Sequence, residues 1–287
     1  MTHAAAAVAP LYGLVLAGGR SMRMKRDKAA IEYRDGRTQL EAAVAALRPH
    51  VVRVFVSVRA DQRDDPLRAR FDCIVDLHDG AGPIAGITAA QAAHPNAAWW
   101  VLACDLPYLD DDTLSHLSKQ RAPHRLATAF RSSHDGLPEP LCAIYEPASG
   151  ASLAAYLAAG RQCPRKFLLQ SDAALLDAPN PRALDNVNST DDYWQAMSNL
   201  DPKAPDAARE IRVQYYALLR EQAGRSEETV TTRARTPREL FDELRGRHPF
   251  TLPPELLRVA VNAEFGDWSQ PLSTGDAVVF IPPVAGG

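Results

Sequence analysis

The chain has no long apolar run. None of its uninterrupted hydrophobic stretches approaches the ~18 residues of a membrane span, so no membrane partner is expected. It also lacks a surplus of either charge: 32 Lys and Arg stand against 35 Asp and Glu, a net of −3. A general electrostatic grip on nucleic acid or anionic lipid is thereby excluded, and no nucleic acid partner is expected. Cysteine is scarce and scattered. Cys73, Cys104, Cys142 and Cys163 form no C-x-x-C pair and have no histidine at ligand spacing, so no zinc site is expected. In a chain of this length they read as reduced core thiols of a cytoplasmic protein. A secretion signal is not expected either. Ala4–Gly19 is apolar, but no Lys or Arg precedes it and Pro10 interrupts it. Residues 1–10 are therefore read as a disordered tail ahead of a first strand. No internal repeat or long low-complexity run is found.

What is present is ordinary globular composition, 46% hydrophobic and 23% charged, which excludes a mainly disordered chain. The 287 residues suggest about two domains. The seam is NLDPKAPDAAR, Asn199–Arg209, where prolines, small residues and charges cluster as in a linker. The expected organisation is a first domain over 11–199, a linker over 200–209 and a second domain over 210–287.

The first domain alternates strand and helix signals. Leu11–Leu16, Val51–Val58, Cys73–Asp76 and Trp99–Ala103 read as strands. Thr38-Gln39-Leu40-Glu41 is a capping box, Gly82-Pro83 opens a helix to His94, and Asp110–Asp112 suit the start of another. The pattern predicts an α/β fold, Rossmann-like with a mostly parallel sheet, whose ligands bind beyond the carboxyl ends of the strands. The second domain reads as strand, turn, strand, a helix capped by Thr236-Pro237-Arg238-Glu239, then strands at Arg258–Asn262 and Ala277–Ile281. That is a small α+β domain with its helix on one face.

Chemistry concentrates in Leu16–Lys28, LAGGRSMRMKRDK. Gly18 and Gly19 let the backbone turn tightly after a strand, and free N–H groups of such a turn cradle anions. Arg20, Arg23, Lys25, Arg26 and Lys28 place five cations in nine residues. They suit a triphosphate and the charge on a leaving pyrophosphate; a solvated basic turn is the plainer alternative. Neither G-x-x-x-x-G-K-[ST] nor G-x-G-x-x-G occurs there. Asp105, after the strand WWVLAC, has two readings, a magnesium ligand beside substrate phosphates or an N-cap, and so has Asp76. His78, His94 and His134 read as solvated or structural.

These residues resemble a family. LAGGRSMRMKRDKA, GPIAG at Gly82–Gly86, CDLP at Cys104–Pro107, PEPLCAIY at Pro138–Tyr145 and NVNSTDD at Asn186–Asp192 are similar to the motifs of the molybdenum cofactor guanylyltransferases, in the same order. The resemblance implies a Rossmann-like nucleotidyltransferase that joins GMP from GTP to molybdenum-bearing molybdopterin and releases pyrophosphate, with Mg2+ as cofactor. By motif, it places Leu16, Ala17 and Gly18 on the guanine and ribose, Gly19 in the loop, and Lys28 on the phosphates. Asp76 would lie near the nucleotide, Asp105 would hold magnesium and nucleotide, and Asn186 and Asn188 would lie towards the pterin. Arg23, Lys28 and Asp105 are the expected catalytic residues. Lys25 stands where the family usually has Gly, and Val58 where some members have Asn, so a polar contact to the nucleotide is expected to be missing. Related cytidylyl enzymes tend to carry Ala-Ala-Gly, so Ala17-Gly18-Gly19 favours guanine. A cytidylyl or other nucleotidyltransferase, or a non-catalytic first half, are the alternatives.

The chain printed here ends Pro282-Pro283-Val284-Ala285-Gly286-Gly287. Two residues without side chains can thread a channel closed to larger ones. Residues 211–287, with IRVQYYALLREQAG, AVNAEF and LSTGDAVVFIPPVAGG, are similar to the small subunit of molybdopterin synthase, a ubiquitin-like β-grasp sulfur carrier. The resemblance implies that Gly287 carries sulfur as a thiocarboxylate. Its implied partners are the molybdopterin synthase large subunit, an adenylating sulfur-activating enzyme and molybdopterin-bearing upstream proteins. Phe265, Phe280 and Ile281 are read as core or as a docking face, with core favoured.

Overall fold

Leu11–Leu16 (LYGLVL) carries no charge and alternates its side chains between two apolar surroundings, so it forms a strand, β1, covered on both faces. It sits inside a seven-stranded sheet with β2 (Arg53–Val58), β3 (Cys73–Val75), β4 (Ala98–Ala103), β5 (Ala127–Arg131), β6 (Pro138–Tyr145) and β7 (Ala173–Leu176). The order is β3-β2-β1-β4-β6-β5-β7. β1 runs parallel to β2 and β4, β2 to β3, and β5 to β7, while β6 is antiparallel to both neighbours. The protein is described by a computed structural model over residues 8–19, 27–32, 36–78, 80–201 and 206–283. Its residues group into two compact units, divided between Val187 and Asn188.

Helices cover both faces of the large sheet. On one, α1 (Gln39–Leu47) and α3 (Asp111–Lys119) pack Leu40, Val44, Leu47, Leu114 and Leu117 against Val15, Val56, Trp100 and Leu102. On the other, α2 (Pro83–Ala93), α4 (Gly150–Ala158) and α5 (Pro164–Leu169) pack Ile84, Ile87, Leu153, Tyr156 and Phe167 against Leu14, Phe55, Trp99 and Val101. The helix starts follow the sequence signals. The Thr38 hydroxyl accepts from the Glu41 N–H at 3.3 Å, and the Glu41 carboxylate closes the box by accepting from the Thr38 N–H at 3.0 Å. Asp110 caps α3 by accepting from the Thr113 N–H at 2.8 Å. Burial alone would raise its pKa, but hydrogen bonds from Asn180 and Thr113 lower it.

The second unit contains α6 (Thr190–Leu200) and a five-stranded sheet, order β11-β10-β12-β8-β9. Its strands are β8 (Arg209–Tyr215), β9 (Glu227–Thr232), β10 (Arg258–Val261), β11 (Glu264–Phe265) and β12 (Ala277–Ile281). β12 lies parallel to β8 in the middle of the sheet; the other pairs are antiparallel. The helix α8 (Pro237–Arg245) buries Leu240, Phe241 and Leu244 on one face of this sheet, giving the β-grasp layout. A further short helix, α7 (Ala217–Ala223), joins β8 to β9 and stops at Gly224, whose φ of 68° is the left-handed C-cap. The sequence signals gave no helix there. In α6, the Trp194 ring lies under the Arg209 and Arg235 guanidinium groups, 5.0 and 5.8 Å from its centroid. Phe280 is fully buried, Ile281 is half-buried and Phe265 is 67% exposed, so the three residues read together as core divide between core and surface.

The thiols divide too. Cys104 and Cys142 are buried, Cys73 is half-buried and Cys163 is exposed, so only two of the four are the core thiols expected. Burial pushes the Cys142 thiol up to about 12. A maleimide should label Cys163 first and reach Cys104 and Cys142 only on unfolding, as peptide mass mapping would show. In the second unit, the Glu228 carboxylate accepts from the Tyr215 hydroxyl at 2.7 Å and lies 2.6 Å from His248 Nε2. Burial alone would raise its pKa; these partners outweigh that and hold it below the usual carboxylate range. The stabilisation it gives is therefore present above the unfolded-state value and is lost as pH falls through the lower folded value. Glu228→Gln should cost about 1–3 kcal/mol at pH 7 and flatten the loss of stability on acidification, measured by urea denaturation across pH.

Candidate active site

Parallel register brings four strand ends to one rim. Leu16 is paired with Ser57 of β2 and with Ala103 of β4, and Val58 with Val75 of β3. Ala17, Arg59, Asp76 and Cys104 are thus the next residues out on adjacent strands. The backbone carries the alignment past the strands: the Ala17 N–H donates to the Ser57 carbonyl at 3.1 Å, and the Asp76 N–H to the Val58 carbonyl at 2.8 Å. The chain turns to one side of β1 for β2 and β3 and returns to the other for β4, so the strand order reverses at β1 and opens a crevice there.

Gly18 meets that rim closely. A Cβ on it would lie 3.4 Å from Asp76 Oδ2 and 3.6 Å from the Arg59 side chain, whereas a Cβ on Gly19 would have no neighbour within 4 Å among the described residues. The Arg59 guanidinium donates to the Gly18 carbonyl. Ser57 Oγ donates to Asp76 Oδ1 at 2.7 Å, which orients that carboxylate. Across the crevice, Lys28 Nζ donates to Asp105 Oδ2 at 2.8 Å, with side chains 18% and 20% exposed. The Val187 N–H donates to the Asp105 carbonyl at 3.3 Å, which carries the neighbouring exposed Asn186 to the same strand end.

Of the residues singled out in the sequence, Leu16, Ala17, Gly18, Gly19 and Asp76 gather at the ends of β1 and β3, and Lys28, Asp105 and Asn186 at the end of β4. Asn188 belongs to the second unit, where its N–H donates to Asp192 Oδ2 at 3.0 Å ahead of α6. Arg20, Arg23, Lys25, Arg26, Gly286 and Gly287 lie outside the described residues. Val58 is fully buried in the core, so that position presents no side chain to the crevice. Among the histidines, His94 packs with Tyr12, Phe55 and Trp99, and His134 pairs with Asp185 at 2.9 Å. His78 is exposed.

Sequence reasoning did not assign Ser57, Arg59, Arg68 or Gly86 to this rim. The run Ser57-Val58-Arg59 carried a signal, ending a strand with a hydroxyl and a guanidinium. Arg68 carried none; it comes from a short 3-10 helix, Arg68–Arg70, before β3.

Among the described residues no group of three or more His, Cys, Asp or Glu is placed to hold a metal. Magnesium does not need one, because it takes one or two carboxylates and completes its shell with phosphate oxygens and water. Asp105, partly exposed at the rim, fits that demand.

Comparison with known proteins identifies the family of each part. The family described as MobA-like NTP transferase domain matches residues 13–175, and the ThiS family matches residues 213–287. A molybdenum cofactor biosynthesis bifunctional protein of Synechocystis sp. is 34% identical over 186 residues, 65% of this chain and 53% of that protein. The chain thus spans about half the length of that relative. A molybdenum cofactor guanylyltransferase of Burkholderia lata is 29% identical over 204 residues, 68% of this chain and 98% of that protein. Among solved structures, the molybdopterin-guanine dinucleotide biosynthesis protein A of Archaeoglobus fulgidus shares the fold. Its TM-score is 0.56 and its identity 23%, over 67% of this chain and 99% of that one.

Gly86, in GPIAG, shows how tightly the rim is supported. A Cβ there would fall 2.2 Å from Ser57 Oγ and 3.1 Å from Leu16 Cδ2. Gly86→Ala should therefore drive Ser57 off Asp76 and cost about 1–3 kcal/mol of stability, measured by chemical denaturation.

Proposed function

The chain belongs to the family of MobA-like NTP transferase domains and carries a ThiS-family region after it, and on that premise we propose that it is a bifunctional protein of molybdenum cofactor biosynthesis. The first part, residues 11–199, transfers GMP from GTP to molybdenum-bearing molybdopterin and releases pyrophosphate. The second, residues 210–287, carries sulfur as a thiocarboxylate on Gly287. The observation that supports the transfer reading most is the rim itself, where the glycine loop, Asp76 and the Lys28–Asp105 pair converge beyond β1, β3 and β4.

The chemistry follows from charge. The terminal phosphate of molybdopterin attacks the α-phosphorus of GTP in line, and both reactants are anions. Lys28 supplies a fixed cation to the phosphates, and the loop N–H groups add partial positive charge without proton transfer. A phosphate monoester, with its second pKa near 6, is already largely ionised at neutral pH, so no side chain is needed as general base. That agrees with the structural placement of His94. Asp105 would hold magnesium, which neutralises charge on the transferring phosphates when bound. Arg23 is assigned to the leaving pyrophosphate, Leu16, Ala17 and Gly18 to the guanosine, Asp76 to the nucleotide, and Asn186 and Asn188 to the pterin side.

For the carrier part, the support is the ThiS-family match together with the β-grasp topology. ATP adenylates the Gly287 carboxylate with release of pyrophosphate, and sulfide-level sulfur delivered by the activating enzyme then displaces AMP to leave the thiocarboxylate. The partners are an adenylating enzyme and the synthase large subunit, with molybdopterin-bearing proteins feeding the first part, all in the cytoplasm. No helix among the described residues is long and apolar enough to cross a membrane.

Asp105→Asn should lower GTP-dependent pyrophosphate release by at least about 100-fold while leaving thiocarboxylation of Gly287, read by intact mass, unchanged. Use of CTP with GTP ignored would overturn the guanine assignment; transfer unaffected by the substitution would overturn the site.

A further inference from the structure

Arg68 is 1% exposed and lies 51 residues from the carbonyl it holds. Its Nε and Nη2 both donate to the Ala17 carbonyl, at 3.0 and 2.8 Å. Its Nη1 donates to Asp65 Oδ1 at 3.0 Å, and Asp65 is itself one-third exposed. A guanidinium taken out of water is costly unless its hydrogen bonds are kept. Here the forked pair goes to a single backbone oxygen at the start of the glycine loop. The next carbonyl along, that of Gly18, is held by the Arg59 guanidinium, 17% exposed at the same rim. Two arginines therefore grip two successive peptide groups.

The consequence follows from peptide geometry. These peptides are trans, and in a trans peptide the C=O and the following N–H point in opposite directions. Fixing the Ala17 carbonyl on Arg68 fixes the Gly18 N–H away from it. Fixing the Gly18 carbonyl on Arg59 does the same for the Gly19 N–H. Two glycines in sequence would otherwise sample many peptide orientations, and a ligand would have to order them on binding. Among the described residues, none has an atom within 4 Å of where a Gly19 side chain would start.

We propose that Arg68 and Arg59 are positioning residues of the nucleotide loop, which lock the Ala17–Gly18 and Gly18–Gly19 peptides so that their N–H groups are set for the phosphates before nucleotide arrives. This rests on the nucleotidyl-transfer reading and adds two residues to it that touch the loop rather than the nucleotide. Arg68 carries the greater share, because it is buried and forked where Arg59 is also engaged by Asp61. Lysine, with a single nitrogen on a flexible stem, cannot reproduce the planar fork.

The test uses the full chain, with Arg68→Met, Arg68→Lys and a neighbouring control, Leu67→Ala, which removes core contact beside Arg68. GTP affinity is measured by equilibrium titration with magnesium, and kcat and KM for GTP by pyrophosphate release. Arg68→Met should raise Kd and KM for GTP about tenfold or more, with kcat at saturating GTP nearly retained. Arg68→Lys should fall between it and the unaltered protein, and it serves if the Met variant does not fold. A merely structural role would act differently: partial unfolding lowers the active fraction and hence kcat, not KM. Unchanged GTP affinity in both Arg68 variants, with the unaltered protein active, would overturn the positioning role alone. So would an equal loss of affinity in Leu67→Ala. Failure of the unaltered protein to bind GTP would overturn this proposal and the nucleotidyl-transfer reading together.

Discussion

The parallel pairing of β1 with β2 on one side and β4 on the other is the constraint on which the rest depends. Once Leu16 is set against both Ser57 and Ala103, the residues that follow have no choice of address. A slip by one residue would turn every side chain of β1 to the opposite face and bury the wrong set. The register is protected by apolar burial on both sides, with Leu14 and Val15 each fully buried against different helices. The site is therefore built by the core. Its precision is inherited from packing that has no chemistry of its own.

Charge is then distributed around this rim in two distinct ways. Lys28 and Asp105 are partly exposed and face each other across the crevice, where water and ligand reach them. Arg68 and Ser57 lie behind, buried, and act on backbone or on another side chain. The first kind can exchange partners when an anion binds, because its loss of a partner is compensated by solvent or ligand. The second kind cannot exchange cheaply, because an unmade hydrogen bond in a buried setting carries the full desolvation cost. Gly86 belongs with the second kind: it keeps α2 close enough for Ser57 to stay under Asp76.

The second unit solves a different problem. It is small, and its core is built from one helix on one sheet, with Phe241, Phe250, Trp268 and Phe280 packed at ring separations of 4.9 to 5.8 Å. Aromatic area compensates for the limited volume that so short a chain can enclose. The Glu228–Tyr215–His248 cluster adds a polar tie between β8, β9 and the segment after α8. β12 occupies the middle of the sheet, so the strand that leads toward the terminal glycines is anchored on both edges.

Much was legible from the residues alone, for reasons that are local. Apolar runs without charge announced β1 and β4, capping residues announced α1, α3 and α8, and Gly-Gly after a strand announced the loop. These signals depend on neighbours in sequence, so they survive without a structure. Helix α7 was not legible, because its seven residues are too few for a periodic pattern and its stop at Gly224 also reads as a turn. Nor was the exposure of Cys163, which depends on what the fold leaves uncovered. The sequence by itself determined the elements, the two-part organisation and the residue types available for phosphate chemistry. Only the tertiary structure decided that Lys28 meets Asp105 and that a guanidinium from residue 68 holds the carbonyl of residue 17. Those contacts join residues 77 and 51 positions apart. They exist only once the strand order places those positions side by side, and no local pattern encodes that order.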